Sequence, residues 1–263
     1  MLFFWKLIAL SFQRQLAYRG ANWAGLATNF FFGLLRASIM ISLFQAQGEI
    51  SGLSLQDAIT YTGLTQAVIA YLNIFGWWEV IHAVYSGDIA SDLLKPLDYF
   101  TFWLAQDLGR AIAQMLVRGI TIMLAYAVFF PLTLPGTVTH WLALIASLLL
   151  SLLISFEWRF LVNLAAFWTP DARGIGRTAF SLALFLSGFL MPLRFFPAWF
   201  VRLCHLTPFP ALINSVVEIY LGGIEGVDLL RALGFQLLWA IILFALCQII
   251  LRQGVRKLVI QGG

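Results

Sequence analysis

The residues that could do chemistry are few and far apart in this chain. The only lysines and histidines are Lys6, Lys95, Lys257, His82, His140 and His205. No lysine follows a glycine-rich run of the kind that holds nucleotide phosphates, so the chain cannot bind ATP in that way. It also has no HExxH motif or cysteine cluster for zinc, and no GxSxG nucleophile motif. No site for catalysis, for a metal or for a cofactor is therefore predicted.

Two arginines lie inside long apolar runs, where a charge is costly. Arg36 and Arg118 could line a polar path, or contact an anionic substrate or a lipid headgroup. Alternatively, each could form a buried ion pair, with Glu79 or Glu157 as partner, or extend its charged end to the headgroups. The sequence leaves these alternatives open.

The densest group of charges is the stretch GDIASDLLKPLDYF, residues 87–100. Ile89, Leu93 and Leu97 recur every fourth residue, so on a helix they form one apolar stripe. Asp92 and Lys95 are three residues apart and can pair on the opposite face, and Pro96 breaks or kinks the helix. This pattern predicts a short amphipathic helix at the membrane surface that docks onto something outside the lipid. The alternative is a solvated loop between two spans.

Composition places the chain in a bilayer. Of its 263 residues, 61% are hydrophobic and 11% are charged, whereas soluble domains carry about 25% charged residues. With ~20 residues for each crossing, the apolar runs fit six spans. We therefore predict a single all-α membrane domain over residues 1–263, with spans at 22–45, 57–78, 108–130, 141–164, 178–191 and 229–251. Residues 57–78 are unusually polar, which indicates a helix packed against protein or facing a cavity.

Two further segments complete the predicted architecture. Residues 1–20 are apolar but carry charges, as expected of an amphipathic helix lying in the cytoplasmic interface. Residues 192–226 are divided by prolines into pieces too short to cross, which predicts a broken, re-entrant hairpin at the outer face. The two cysteines, Cys204 and Cys247, fall in different regions, so a disulfide is not expected.

The distribution of basic residues predicts the orientation. Eleven of the sixteen Lys and Arg residues fall in segments assigned to the inside, and only Arg194, Arg202 and Arg231 fall outside. This asymmetry favours both termini in the cytoplasm. No basic face of the kind that binds nucleic acid is apparent.

The layout and three motifs resemble a known group of proteins. The motifs are GDIxxDLLKPL at 87–97, FFPxW at 195–199, and PFPA at 208–211 followed by IYLG at 219–222. Together with the layout, which covers nearly the full chain, they resemble the type-two ATP-binding-cassette (ABC) permeases. More narrowly, they resemble the six-span subfamily often described as daunorubicin- or viologen-export-like.

This resemblance implies a division of labour between chains. The segment 87–100 would be a coupling helix seated in a separate cytosolic ABC ATPase, which would hold ATP and magnesium, and the N-terminal helix would be a second contact. A second permease chain, identical or homologous, would complete an exporter of drugs, lipids or glycans in the bacterial inner membrane, surrounded by membrane lipids. The docking residues would be Asp88, Ile89, Asp92, Leu93 and Leu97. The outer gate would include Phe196, Pro197, Trp199, Pro208 and Pro210.

The residues give less support to two other classes of function. A membrane-embedded enzyme of lipid or isoprenoid metabolism would need paired catalytic carboxylates or a histidine cluster, which the spans lack. A channel or membrane scaffold is not supported by any filter-like repeat.

Overall fold

The computed structural model describes residues 2–257, so the predicted C-terminal tail lies partly outside the described residues. Apart from one isolated bridge between Ile50 and Leu53, this part of the chain contains no strand, which confirms an all-α protein. The helices are α1 (Leu2–Ala17), α2 (Arg19–Gln47), α3 (Leu55–Leu72), α4 (Glu79–Ser86), α5 (Ile89–Asp92), α6 (Tyr99–Gln114), α7 (Ile120–Phe129), α8 (Val138–Asn163), α9 (Ala172–Leu186), α10 (Ala198–His205), α11 (Asn214–Tyr220) and α12 (Gly226–Val255).

Four helical stretches are long and apolar enough to cross a membrane. They are Arg19–Ala46, Tyr99–Phe129, Val138–Phe167 and Gly226–Val255, each of 28 to 31 residues. The second combines α6 and α7 through a π-helical turn at Met115–Gly119. The chain is therefore a multi-pass membrane protein. The other two predicted spans correspond to α3 and α9, which have 18 and 15 residues and do not meet the same criteria of length and hydropathy.

Helix α3 is polar because it is enclosed by protein. Ser54 caps its N-terminus through a reciprocal capping box with Asp57. Every residue from 58 to 72 is buried, including Thr60 and Gln66. The hydroxyl of Thr60 donates to the carbonyl of Gln56, within the same helix, so it needs no water. Of the two alternatives that the polar sequence allowed, packing against protein is the one observed.

The contacts of α2 show that it runs parallel to α6 and α7. Near the start of α2, the side-chain amide of Gln114 donates to Asn22 Oδ1 over 3.1 Å. One turn later the Arg118 guanidinium lies against Gly25, and further along Tyr126 lies against Gly33. Residue numbers along α2 and along α6–α7 therefore increase in the same direction. The chain must therefore return across this layer between the end of α2 and the start of α6, and α3 is the helix that lies there.

Helices α8 and α12 are also parallel. Gln236 Nε2 lies 3.3 Å from the carbonyl oxygen of Ser147, and ten residues later along α8 the Cys247 thiol donates to the carbonyl of Glu157. The chain must again return between the end of α8 and the start of α12. Helix α9 begins that return, and the chain unwinds after its last residue, Leu186.

Helix α1 packs lengthwise on α6. The Ser11 hydroxyl donates to the carbonyl of Gln106 over 2.6 Å. At Gly109 the two backbones are so close that a Cβ atom would overlap the carbonyl oxygen of Ile8. The absence of a side chain at Gly109 is thus what allows α1 to lie against the membrane domain.

Candidate functional site

The charged segment 87–100 forms a compact bend and not one continuous helix. Gly87 ends α4 in the left-handed conformation, with φ at +81°. Only α5, four residues long, is helical before the chain turns. The predicted helix extending to Pro96 is therefore wrong in length. The physical reason is local: proline disfavours helix in the residue before it, and Asp98 already caps α6 by accepting from the Thr101 amide over 2.9 Å.

Two of the predicted docking residues point into the protein. Ile89 is only 2% exposed and packs with Val80 and Tyr99. Asp92 is buried and pairs with Lys95, as the spacing predicted, with 2.5 Å between Nζ and Oδ1. The same ammonium lies 3.8 Å from the ring centroid of Phe102. Ile89 and Asp92 hold the bend together and are not available to a partner.

The opposite side of the bend exposes a small apolar surface. Leu93 and Leu94 face outward, Leu94 with 87% of its surface exposed, and Asp88 is exposed beside them. Leu97 is half-buried. We call Asp88, Leu93 and Leu94 the exposed ridge. The sequence missed Leu94, because a stripe of every fourth residue applies only if the helix continues to residue 97.

Aromatic packing fixes the bend to the membrane helices. The Phe100 ring centroid lies 5.2 Å from that of Phe156 and 5.3 Å from those of Phe160 and Phe244, all edge-to-face. Phe156 and Phe160 belong to α8, and Phe244 belongs to α12. The segment is therefore attached to both long helices of the second half of the chain.

A buried charge network lies directly above this aromatic cluster. Arg159 of α8 is 1% exposed, and its guanidinium binds both oxygens of Asp107, at 3.1 and 2.7 Å. Arg110 binds the same carboxylate through Nε at 2.7 Å, and it also donates to the carbonyl of Tyr71 over 3.0 Å. Two guanidinium groups thus share one carboxylate inside the bundle. Such a pair is costly to bury but very costly to leave half-formed.

Two polar residues of α8 extend the network to the connection between α3 and α4. Ser155 donates to the carbonyl of Leu72, the last residue of α3, over 2.9 Å. The Asn163 amide donates to the carbonyl of Trp77 over 2.7 Å and accepts from the amide of Ile81 over 3.2 Å. The unsatisfied backbone groups between α3 and α4 are therefore bound by α8 side chains.

Sequence reasoning found only part of this network. In the sequence, Arg159 and Glu157 lie near the inner end of the predicted span 141–164, where charged side chains are usually interfacial anchors, whereas the structure buries both in the bundle. The spacing of three between Asp107 and Arg110 was a usable signal for a pair on one helix face. The contact from Asp107 to Arg159 spans 52 residues and two helices, so no local pattern could reveal it.

Arg36 binds carbonyl groups, and no carboxylate among the described residues pairs with it. Its guanidinium donates to the Thr65 hydroxyl over 2.9 Å, to the carbonyl of Phe189, and to that of Leu190 over 3.2 Å. The Tyr61 hydroxyl donates to the next carbonyl back, that of Gly188. These carbonyls belong to the segment where the chain unwinds after α9, so Arg36 and Tyr61 supply the partners that the missing helical turn would have provided.

Arg118 lies in the π-helical turn and has no acidic partner in residues 2–257. It donates to the side-chain oxygen of Gln114 over 3.2 Å, and its guanidinium covers Gly25. Glu79 instead accepts from the amide of Trp78 over 3.0 Å. The ion pairs suggested for Arg36 and Arg118 with Glu79 or Glu157 are therefore not the arrangement in the structure.

The predicted outer-gate residues do not form one surface. Pro208 and Pro210 are buried, Pro197 and Trp199 are exposed, and Phe196 is intermediate. The region is held by a pair between Arg194 and the buried Glu218, whose Nε to Oε1 distance is 3.0 Å.

Beside this pair is an open cavity of about 620 Å³ between the ends of α10, α11 and α12. Ser215 and Glu218 of α11 line it together with Arg194 and His205. Burial lowers the pKa of His205 below its ordinary value, which favours a neutral ring at pH 7. The cavity therefore presents a positively charged group, Arg194, a negatively charged group, Glu218, and a neutral imidazole, His205.

The geometry of the described residues is that of a helical membrane protein. The described residues contain no group of histidine, cysteine and acidic side chains that could hold a metal. Residues 30–262 match the family described as ABC-2 family transporter protein. The chain belongs to the ABC-2 transporter family. No curated protein and no solved structure matches it.

Membership in this family gives the chain a role in transport, so its buried charged residues need no catalytic function. The chain is a permease subunit of an ABC transporter, a transport component that is not itself catalytic, and the partners of such subunits are ABC ATPases. The matched range includes the exposed ridge, the Asp107 network and Arg36 of the permease, whereas α1 precedes it.

Proposed function

We propose that this permease is one of two permease chains, identical or homologous, in a bacterial inner-membrane exporter. It would move a hydrophobic or amphipathic substrate outward, a drug, a lipid or a glycan. ATP and magnesium would be held by separate cytosolic ATPase subunits. The exposed ridge is the observation that supports this proposal most directly, because it leaves two leucines uncovered on a segment that is fixed to the bundle by buried residues.

Six crossings with both termini in the cytoplasm are the topology that we propose. The parallel direction of α2 and α6–α7, and of α8 and α12, requires a return of the chain in each half, and α3 and α9 supply these returns. Helix α3 spans ~27 Å at 1.5 Å per residue, and it can be polar because protein covers it. The basic residues at the proposed inner ends, such as Arg14, Arg173 and Arg252, agree with this orientation.

Movement would pass from the ridge to the outer face through the contacts described above. The bend is fixed to α8 and α12 by aromatic packing, and α8 holds the inner end of α3 through Ser155 and the Asp107 network. At the other end, Tyr61 and Thr65 of α3, together with Arg36 of α2, hold the unwound carbonyls after α9. A displacement of the bend by an ATPase would therefore shift α3 and, with it, the outer region 192–226 that we propose as a gate.

A groove in the wall of the bundle supports an apolar substrate or lipid contact. It encloses about 370 Å³ between α3, α7, α8 and α11. Leucine, alanine, methionine, valine and isoleucine dominate its lining, and Trp141 and Tyr220 stand at one end. No charged residue lines it. The second permease chain would cover another surface: α2 exposes Phe31, Leu35 and Ile39 on one face.

The experiment that tests the proposal replaces the two exposed leucines. We expect the double substitution Leu93→Asp and Leu94→Asp to prevent co-purification of the ATPase encoded with the permease, because an aspartate in an apolar cleft must lose its water. Insertion and monodispersity of the permease should not change, since both side chains are exposed. A second comparison sets Leu94→Asp alone against the matched control Ile175→Asp, which adds the same single charge at another exposed apolar position near the proposed inner surface.

An equal loss of ATPase in the control would mean that charge in general weakens assembly. Undiminished ATPase binding and transport by the double variant would contradict docking at the ridge.

A further inference from the structure

A small recess lies between α4 and the start of α9, outside the segments discussed so far. It encloses about 220 Å³, and the residues that line it are Trp78, His82, Arg173 and Arg177. Its floor is rigid, because the Trp78 ring packs on Gly176 so closely that a Cβ atom there would overlap it. The Trp78 ring also meets Phe180 edge-to-face, with centroids 5.2 Å apart.

The charges around this recess are unbalanced. Arg173 and Arg177 are four residues apart on one face of α9, an arrangement in which like charges destabilise a helix. Neither forms an ion pair with an acidic side chain of residues 2–257. The nearest acid in sequence, Asp171, caps α9 by accepting from the Gly174 amide over 3.1 Å.

Among residues 2–257, the guanidinium of Arg173 has only an imidazole as a side-chain partner. Its Nη2 lies 3.1 Å from His82 Nδ1. Two exposed guanidinium groups and one imidazole therefore converge on a concave surface. Guanidinium forks match the oxygens of a phosphate, which accepts two parallel hydrogen bonds from each.

We propose that this recess binds the phosphate of an anionic phospholipid in the cytoplasmic leaflet. The assignment to that leaflet rests on the proposed topology, which puts α4 and the start of α9 inside. A lipid is favoured over a soluble ligand because the half-buried indole of Trp78 lines the recess beside the arginines, as tryptophan does at a membrane interface. The inner leaflet is also the one that carries anionic headgroups.

The bound headgroup would brace α4 against α9. The two elements already touch through Tyr85, whose hydroxyl donates to the carbonyl of Thr169 over 2.8 Å and accepts from the Ala172 amide over 3.1 Å. A phosphate between His82 and the arginines would add a second link about one turn earlier on the same face of α4. Since α4 leads directly into the bend, the lipid would stabilise the orientation of the exposed ridge.

The test uses the purified permease alone, without ATPase or substrate. Native mass spectrometry measures binding of phosphatidylglycerol and, for comparison, of phosphatidylcholine with the same acyl chains. We expect the double substitution Arg173→Gln and Arg177→Gln to weaken phosphatidylglycerol binding about tenfold. The change for phosphatidylcholine should be less than about twofold, because the zwitterionic headgroup carries no net charge.

The matched control removes two other exposed arginines, Arg252→Gln and Arg256→Gln, at the end of α12. This control has the same net charge as the test variant and should keep phosphatidylglycerol binding within about twofold. The variant Arg173→Lys with Arg177→Lys keeps the charge but loses the fork, and intermediate binding is expected.

Equal weakening in the test and control variants would overturn the site in favour of a diffuse charge effect, and unchanged binding in both would also overturn it. Complete displacement of the lipid by inorganic phosphate would mean that the recess binds a free anion and not a lipid. None of these results depends on docking at the ridge, so failure of either proposal can be recognised separately.

Discussion

Asp107 is shared by two arginines, and this makes it the most consequential single carboxylate of the bundle. Its side chain accepts from Arg110 and Arg159, and both pairings lie away from water. Breaking a buried pair by removing one partner typically costs about 3–5 kcal/mol, because the remaining charge is uncompensated. Exposed pairs, in contrast, contribute about 0–1 kcal/mol.

We therefore expect Asp107→Ala to lower the thermal unfolding temperature of the purified permease strongly, with a loss of about 3–5 kcal/mol. The comparison is Asp228→Ala, which removes the acid from the exposed pair with Arg231. That variant should unfold within about 1 kcal/mol of the wild type. Similar unfolding temperatures for both variants would mean that the Asp107 network adds no more stability than a surface pair.

Arg36 has a different role, because its partners are backbone carbonyls of an unwound segment. Replacing it by methionine leaves the carbonyls of Phe189 and Leu190 without a donor. We expect Arg36→Met to increase amide hydrogen exchange in residues 187–192, while Arg118→Met leaves exchange in that segment unchanged. Hydrogen exchange with mass spectrometry on both variants decides this. If the segment were equally protected in both, Arg36 would not be the group that orders it.

At the scale of elements, the attachment of α1 depends on one close approach. Because Gly109 lies against the backbone of α1, a single methyl group there must push the two helices apart. Gly234 of α12 offers a contrast, since no atom lies within 4 Å of the Cβ that it would carry.

We expect Gly109→Ala to release α1 from α6, which can be measured as faster proteolysis of the N-terminal region in detergent. Gly234→Ala should leave proteolysis unchanged and stabilise α12 by about 0.5–1 kcal/mol, as alanine favours helix. Release of α1 by both substitutions would show that the effect comes from helix propensity and not from contact.

The sequence was most informative about elements whose surroundings are uniform. Long apolar helices such as α8 and α12 are visible as hydropathy runs because lipid imposes one requirement on the whole face. The polar character of α3 correctly indicated contact with protein, because a helix that faces lipid must be apolar. The bend at 87–98 was not predictable at this level, since a period of 3.6 describes a helix only while the helix continues.

Long-range polar contacts explain the rest of the difference. Arg159 looks like an interfacial anchor in the sequence because its partner Asp107 is on another helix. Arg36 looks like a pathway charge or half of an ion pair because backbone carbonyls leave no trace in a sequence. In both cases the identity of the residue pointed to a buried charge, and only the fold provided the group that compensates it.

At the scale of the whole molecule, topology is the property on which the other proposals depend. Within residues 2–257, only four helical stretches are long and apolar enough by themselves, and a chain with four spans would place residues 94, 136 and 175 on the sides opposite to those in a six-span chain. The native cysteines Cys204 and Cys247 are both buried and can be replaced by serine to give a background without thiols.

In that background we expect a membrane-impermeant maleimide to label Gly136→Cys in intact cells, but not Leu94→Cys or Ile175→Cys, which should react only after the membrane is opened. The positions suit the experiment because Leu94 and Ile175 are exposed and no atom lies within 4 Å of a Cβ at Gly136. The reverse labelling pattern would contradict six spans with both termini in the cytoplasm and would remove the recess at Arg173 from the cytoplasmic leaflet.

The burial of residues 58–72 of α3 also bears on how the protein is made. A helix whose threonines and Gln66 face only protein has no favourable partition into lipid while the ribosome is still producing the segments that will cover it. Helix α2 is synthesised before it, but α6 to α8 follow. The newborn chain must therefore hold α3 at the insertion machinery, or beside α2, until those later helices emerge. Although α3 is synthesised early, it therefore reaches its final position only after the later helices have been made.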